Sequence, residues 1–263
     1  MAVKGLDTFI KYFAEQRDSF VLIGGAACHL WFADQNLPFR RTKDLDVVLI
    51  LEKTNSAFVS RFWEFIRYGG YKEKVRNEDT PPALYRFAKP TQDDFPVLVE
   101  LFCRDIPQLE VAPDQHIIPV RLQDTQSLSA ILLQESYYRF LLDHCRESRG
   151  ILAADGAALI PLKARAWLDL TVRQERGEEV KSTDIKKHRN DVFGLAVTLP
   201  AAPGVRLPDE LASDVRAFLD RHPADHSDWK AIQQSMRPIV GGVIPPNNVI
   251  SAIRTFYQLI DPA

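Results

Sequence analysis

Two carboxylates open a run of otherwise apolar residues, and few features constrain a chain more. Residues 45–51, Leu-Asp-Val-Val-Leu-Ile-Leu, read as a strand, with Asp44 and Asp46 two positions apart at its start. Side chains alternate along a strand, so Asp44 and Asp46 point to one face. Side by side and partly buried, they repel each other unless a cation sits between them. Hard oxygen donors of this kind suit Mg²⁺ or Mn²⁺ bound to phosphate. An Asp-x-Asp at a strand edge is also a common solvated feature, so its neighbours decide the reading.

Three neighbours bear on it. Gly24-Gly25 lies between a short strand, Phe20 to Ile23, and a helix from about Ala26. Such a junction can bring phosphate against backbone N–H groups at a helix N-terminus, and it can also be only a tight turn. Arg40 and Thr42 precede the acidic pair in Arg-Arg-Thr-Lys-Asp-Leu-Asp. Glu100 interrupts the apolar run Val-Leu-Val-Glu-Leu-Phe. A carboxylate in a core strand needs a partner, either a metal or an arginine such as Arg86 or Arg104.

The first half alternates apolar runs with helical pattern. An opening amphipathic helix is expected at 4–17, a helix from Asn55 or Ser56 to about Tyr68, and strands at 71–75, 83–88 and 97–102. Residues 116–122 read as an edge strand, because Pro119 cannot donate to a ladder. The second half is helical by pattern, at 127–145, 161–176, 182–196, 208–221 and 246–259. Pro161 is placed in the first turn of its helix and Gly177 at its end. The boundary is expected near residue 125, giving an α/β domain over 1–125 and a helical domain over 126–263.

Composition limits the partners. Lys and Arg total 33 against 35 Asp and Glu, a net charge of -2. That excludes a globally basic nucleic-acid coat but not a local basic groove. The run Lys181, Lys186, Lys187, His188 and Arg189 is a candidate for such a patch, or simply a solvated helix face. Cys28, Cys103 and Cys145 are odd in number and widely spaced, which reads as buried thiols in a reducing, cytoplasmic setting. No stretch is long and apolar enough for a membrane span, and the N-terminus lacks a signal-peptide pattern.

The segment Leu-Ile-Gly-Gly-Ala-Ala-Cys-His-Leu-Trp through Arg-Arg-Thr-Lys-Asp-Leu-Asp-Val-Val-Leu-Ile-Leu resembles the signature of the polymerase-β-type nucleotidyltransferase superfamily. Glu100 matches the third carboxylate of that signature. The Arg-x-Thr-x-Asp-Leu-Asp form is similar to that of the AbiEii/AbiGii-type nucleotidyltransferase toxins. Lys163 in Pro-Leu-Lys-Ala-Arg-Ala-Trp, and Lys187 with Asp191, match later motifs of that group. The likeness spans about residues 20–197; the tail beyond 200 matches nothing.

The resemblance implies an α/β (α+β) fold, a nucleotidyltransferase-type mixed sheet with flanking helices followed by a helical C-terminal part. It implies transfer of a nucleotide from an NTP to an acceptor hydroxyl. Asp44, Asp46 and Glu100 would ligate Mg²⁺ or Mn²⁺, with Lys163 also catalytic. Gly24, Gly25, Arg40, Thr42, Lys163, Lys187 and Asp191 would line the nucleotide site, with Asp191 orienting Lys187. The implied acceptor is RNA, foremost the 3′ end of a tRNA, and the implied setting is a toxin–antitoxin or phage-defence system with an antitoxin partner. The alternatives are transfer to a protein or to a small molecule such as an aminoglycoside, and a degenerate protein that only binds a nucleotide or partner.

Overall fold

Phe20–Ile23 is buried at every residue, and it forms a middle strand, β1, of a mixed sheet. In the computed structural model the described residues are 3–50, 53, 56–73, 84–102 and 134–259. They fall into two units, Met1–Thr125 with Cys145–Ala154, and Gln126–His144 with Asp155–Ala263.

The first unit holds a seven-stranded sheet. Its strands are β1, β2 (Asp44–Leu49), β3 (Lys72–Glu73), β4 (Leu84–Ala88), β5 (Leu98–Phe102), β6 (Cys145–Ser148) and β7 (Ile151–Ala154), in the order β3-β4-β5-β2-β1-β7-β6. β1 runs antiparallel to β2, and β2 runs parallel to β5. β1 also runs parallel to β7. The helices of this unit are α1 (Leu6–Tyr12), α2 (Gly24–Ala33) and α3 (Ser56–Gly69).

One face of the sheet is aromatic. Phe87 of β4 meets Phe62 and Trp63 of α3 edge-on. Phe20 of β1 meets Phe9 of α1, Phe13 and Phe58. The amphipathic spacing of Phe58, Phe62 and Phe65 along α3 places one stripe of rings on the sheet. Alternation then sends Asp46 and Glu100 to the opposite face, because Phe87 is one residue past Arg86, the register partner of Glu100.

The second unit is built from α4 (Glu135–Asp143), α5 (Gly156–Glu175), α6 (Ser182–Ala196), α7 (Asp209–Asp220), α8 (Trp229–Val240) and α9 (Pro246–Phe256). α5 packs against α4, α6 and α7, while α6 packs against α8 and α9. The Asp155 carboxylate caps α5 by accepting the Ala158 N–H at 3.0 Å. Pro161 lies inside α5 and has no N–H for the Ala157 carbonyl four residues back. The buried Tyr257 hydroxyl donates to that carbonyl at 2.8 Å. Trp167, Phe193, Phe218, His222 and Trp229 share ring contacts in the core of this unit.

Several expectations change. α1 ends at Tyr12, and a 3-10 turn at Arg17–Ser19 leads into β1. The helix expected to reach Cys145 ends at Asp143, and Cys145 begins β6. α5 starts at Gly156, so Pro161 is an interior residue rather than a first-turn one. α8 was not anticipated, whereas α6 spans the expected Ser182–Ala196. Cys28 is buried but Cys145 only half-buried, and neither is in a disulfide. The edge strand at 116–122, Cys103 and Arg104 lie outside the described residues. No helix among the described residues is long and apolar enough to cross a membrane.

Candidate functional site

The strand register builds an acidic row. Asp46 of β2 faces Glu100 of β5, Glu100 faces Arg86 of β4, and Ile23 of β1 flanks Asp46 on the other side. Register partners point the same way, so Arg86, Glu100 and Asp46 share a face, with Asp44 one pleat away on the same side. Asp46 is 8% exposed and Glu100 6%, while Asp44 is half-buried. Arg86 Nε donates to Glu100 Oε1 at 2.6 Å, and Arg86 Nη2 contacts the same oxygen. Arg86 is one of the partners the sequence offered for Glu100.

The Gly-Gly junction is packed against this row. Gly24 has φ +63°, and a Cβ there would lie 1.7 Å from Asp46 Oδ2. Only glycine tolerates both the conformation and the approach. A Cβ on Gly25 would lie 2.5 Å from Thr42 Oγ1. The missing side chains of these glycines leave room for Asp46 and Thr42. The first turn of α2, with N–H groups unsatisfied within the helix, is thereby brought beside the Asp46 carboxylate.

Thr42 is buried and forms an isolated bridge with Val3, which pins the loop before β2. Arg40 is half-buried, its guanidinium 5.1 Å from the Phe39 ring centroid and donating to the Arg41 carbonyl at 3.4 Å.

Lys163, Lys187 and Asp191 belong to the second unit. Lys163 Nζ bonds Asp191 Oδ2 at 2.9 Å, with side chains only 2% and 3% exposed. Asp191 was expected to orient Lys187, its neighbour one turn back on α6. It binds Lys163 of α5 instead, because the two facing helices bury both groups and a buried charge requires a buried counter-charge. The basic run on α6 is not one solvated face either. Lys186 is exposed and Lys187 half-buried, but His188 and Arg189 are buried, and Arg189 Nη1 pairs with Asp228. Asp228 carried no signal in the sequence, lying in a loop of mixed polar residues.

Chemically the row offers hard carboxylate oxygens of the type a divalent ion takes. The Glu100 side chain, however, is engaged by Arg86. Among the described residues no group of three or more His, Cys, Asp or Glu side chains is arranged to hold a metal ion. A cavity of about 330 Å³ in the second unit, lined by Arg206, Arg216, Tyr257 and Leu259, contains none of the acidic row. Comparison with known protein families finds no family model that matches the chain, and comparison with curated proteins finds no similar protein.

Proposed function

We propose that the chain is a metal-dependent nucleotidyltransferase that moves a nucleotide from an NTP to an acceptor hydroxyl. The acceptor in this reading is RNA, foremost a tRNA 3′ end, and the setting is a toxin held in check by an antitoxin. The observation that carries it is the left-handed Gly24, at the start of α2, closed onto Asp46, with Glu100 beside Asp46 on a parallel strand. Bound divalent ions would supply charge neutralisation at the phosphates and acidify the acceptor hydroxyl. Asp44 and Asp46 would hold them. The N–H groups of the first turn of α2 would receive phosphate oxygens. Thr42 keeps the loop before β2 against Gly25, and Arg40 adds positive charge at that loop. In the second unit Lys187 is the candidate for phosphate or RNA-backbone contact, since the Lys163 charge is neutralised by Asp191.

The test incubates the protein with each labelled NTP, Mg²⁺ or Mn²⁺, and total cellular RNA and protein. Label enters an RNA band with wild type and is lost in Asp46→Asn, whose fold is checked by circular dichroism. Label only in polypeptide or in a small metabolite moves the acceptor to those classes. A second reading, a degenerate binding protein, draws on the Arg86–Glu100 pair, and absence of label in every fraction would favour it.

A further inference from the structure

The 330 Å³ cavity of the second unit joins two exposed cations to an apolar floor. Arg206 and Arg216 line it and are exposed, while Leu207, Tyr257 and Leu259 line it and are buried. Its frame is pinned on every side. The Gly204 and Val205 N–H groups both donate to the Phe256 carbonyl, at 2.9 and 3.1 Å, which ties the segment before α7 to the end of α9. Tyr257 is anchored through its hydroxyl to Ala157 of α5, and the Leu259 N–H closes α9 by donating to the Arg254 carbonyl at 2.9 Å. The arginines nearby are neutralised: Arg221, just past α7, pairs with Glu175, and Arg254 of α9 pairs with Asp220. Arg206 and Arg216 make no ion pair among the described residues. Asp209 also lines the cavity, at the start of α7, where a carboxylate complements the helix dipole. One negative charge against two positive leaves the lining cationic.

We propose that this cavity binds a small-molecule phosphate monoester, with its phosphate taken by Arg206 and Arg216 and its body laid on Leu207, Tyr257 and Leu259. Two guanidinium forks match the two charges of a phosphate monoester and present paired N–H donors to its oxygens. The apolar floor rewards an organic body, so an ester is preferred to the free inorganic ion. Asp209 repels further negative charge, which selects a monoester over a polyphosphate. The volume lies at the small end of ligand sites, which span roughly 300–1,000 Å³. A frame already closed by hydrogen bonds loses little freedom when the ligand enters. The site lies wholly in the second unit and uses none of the acidic row, so it stands independently of the nucleotidyltransferase reading.

The experiment titrates the full-length chain with phenyl phosphate, a dianion on an apolar ring, and follows the phosphorus resonance of the ligand. Phenyl phosphate should bind more tightly than inorganic phosphate. Arg206→Gln and Arg216→Gln should each weaken it about tenfold, the weight of one lost charge-assisted hydrogen bond. Asp209→Asn should tighten it, and Arg221→Gln should leave it unchanged. Binding should also strengthen as pH rises through about 6, where the ester takes its second charge. No saturable binding of phenyl phosphate overturns the proposal, as does wild-type affinity in both R206Q and R216Q. An equal loss in R221Q overturns it too, because the effect is then only that of overall charge. Benzoate bound as tightly as phenyl phosphate at pH above 7 overturns the assignment to a phosphate. If either glutamine variant fails to fold by circular dichroism, Arg206→Lys and Arg216→Lys carry the same comparison, since each keeps the charge and loses the fork.

Discussion

Each unit encloses an acid–base pair, and the two are built on different terms. In the first unit Arg86 and Glu100 are register neighbours on adjacent strands, and the arginine side chain stays 22% exposed. In the second, Lys163 and Asp191 meet between α5 and α6 with side chains 2% and 3% exposed. The first pair has a solvated way out for its cation. The second has none, because leaving would strand a charge in an apolar core. The contrast separates Lys163, whose charge is enclosed with Asp191 between α5 and α6, from Arg86, whose charge reaches water beside the acidic row.

The largest expected effect breaks the second pair. Asp191→Asn or Lys163→Met leaves an uncompensated buried charge or a poorly matched partner, and should lower unfolding stability by about 3–5 kcal/mol. Chemical denaturation measures this, and the double variant K163M/D191L should recover much of the loss. A loss under about 1 kcal/mol in either single variant would erase the distinction between the pairs.

The next effect concerns pH, and it again belongs to the second unit. His222, 1% exposed, is held by burial to a pKa of about 4 against an ordinary 6.5. Asp228 and the Phe218 carbonyl favour the charged form, while His226 and Arg189 oppose it along with burial. With the folded pKa depressed, the unfolded chain binds the proton more readily between these values. Stability conferred by neutral His222 is therefore full above about pH 6.5 and is lost as pH falls toward 4, by up to about 3 kcal/mol. His222→Leu should flatten that portion of the stability curve, measured by denaturation from pH 4 to 7. The smallest effect is on the first pair: Glu100→Gln should lower stability by only about 1–2 kcal/mol, since Arg86 can turn toward water.

How much of this could be read from sequence depends on how local each determinant is. The acidic strand was legible because alternation is a property of successive residues, and β2 and β5 carry it at Asp44, Asp46 and Glu100. α6 was legible from its Ser-Thr start and the apolar Val-Phe-Gly-Leu-Ala run that closes it. The β6–β7 hairpin was not, since Cys-Arg-Glu-Ser and Ile-Leu-Ala-Ala are four residues each and no alternation can establish itself. α8 was hidden by Pro238 and by its polar Gln-Gln-Ser middle. The partner of Asp191 was misjudged for the complementary reason. Helical spacing nominated Lys187, one turn away, while the true partner lies 28 residues back on another helix.

Pro161 and Tyr257 show how such distant choices become inherited together. The proline strips α5 of one internal hydrogen bond, and the tyrosine hydroxyl supplies the missing donor from a position 100 residues after the Ala157 carbonyl it serves. Each residue thereby fixes the value of the other. Tyr257→Phe strands a buried carbonyl when residue 161 is proline, yet it would be close to neutral if residue 161 had an N–H to offer. The two positions behave as one mutational unit, so a scan of single substitutions would register the cost of losing the Tyr257 hydroxyl and miss that this cost is assigned by a proline two residues upstream of Lys163.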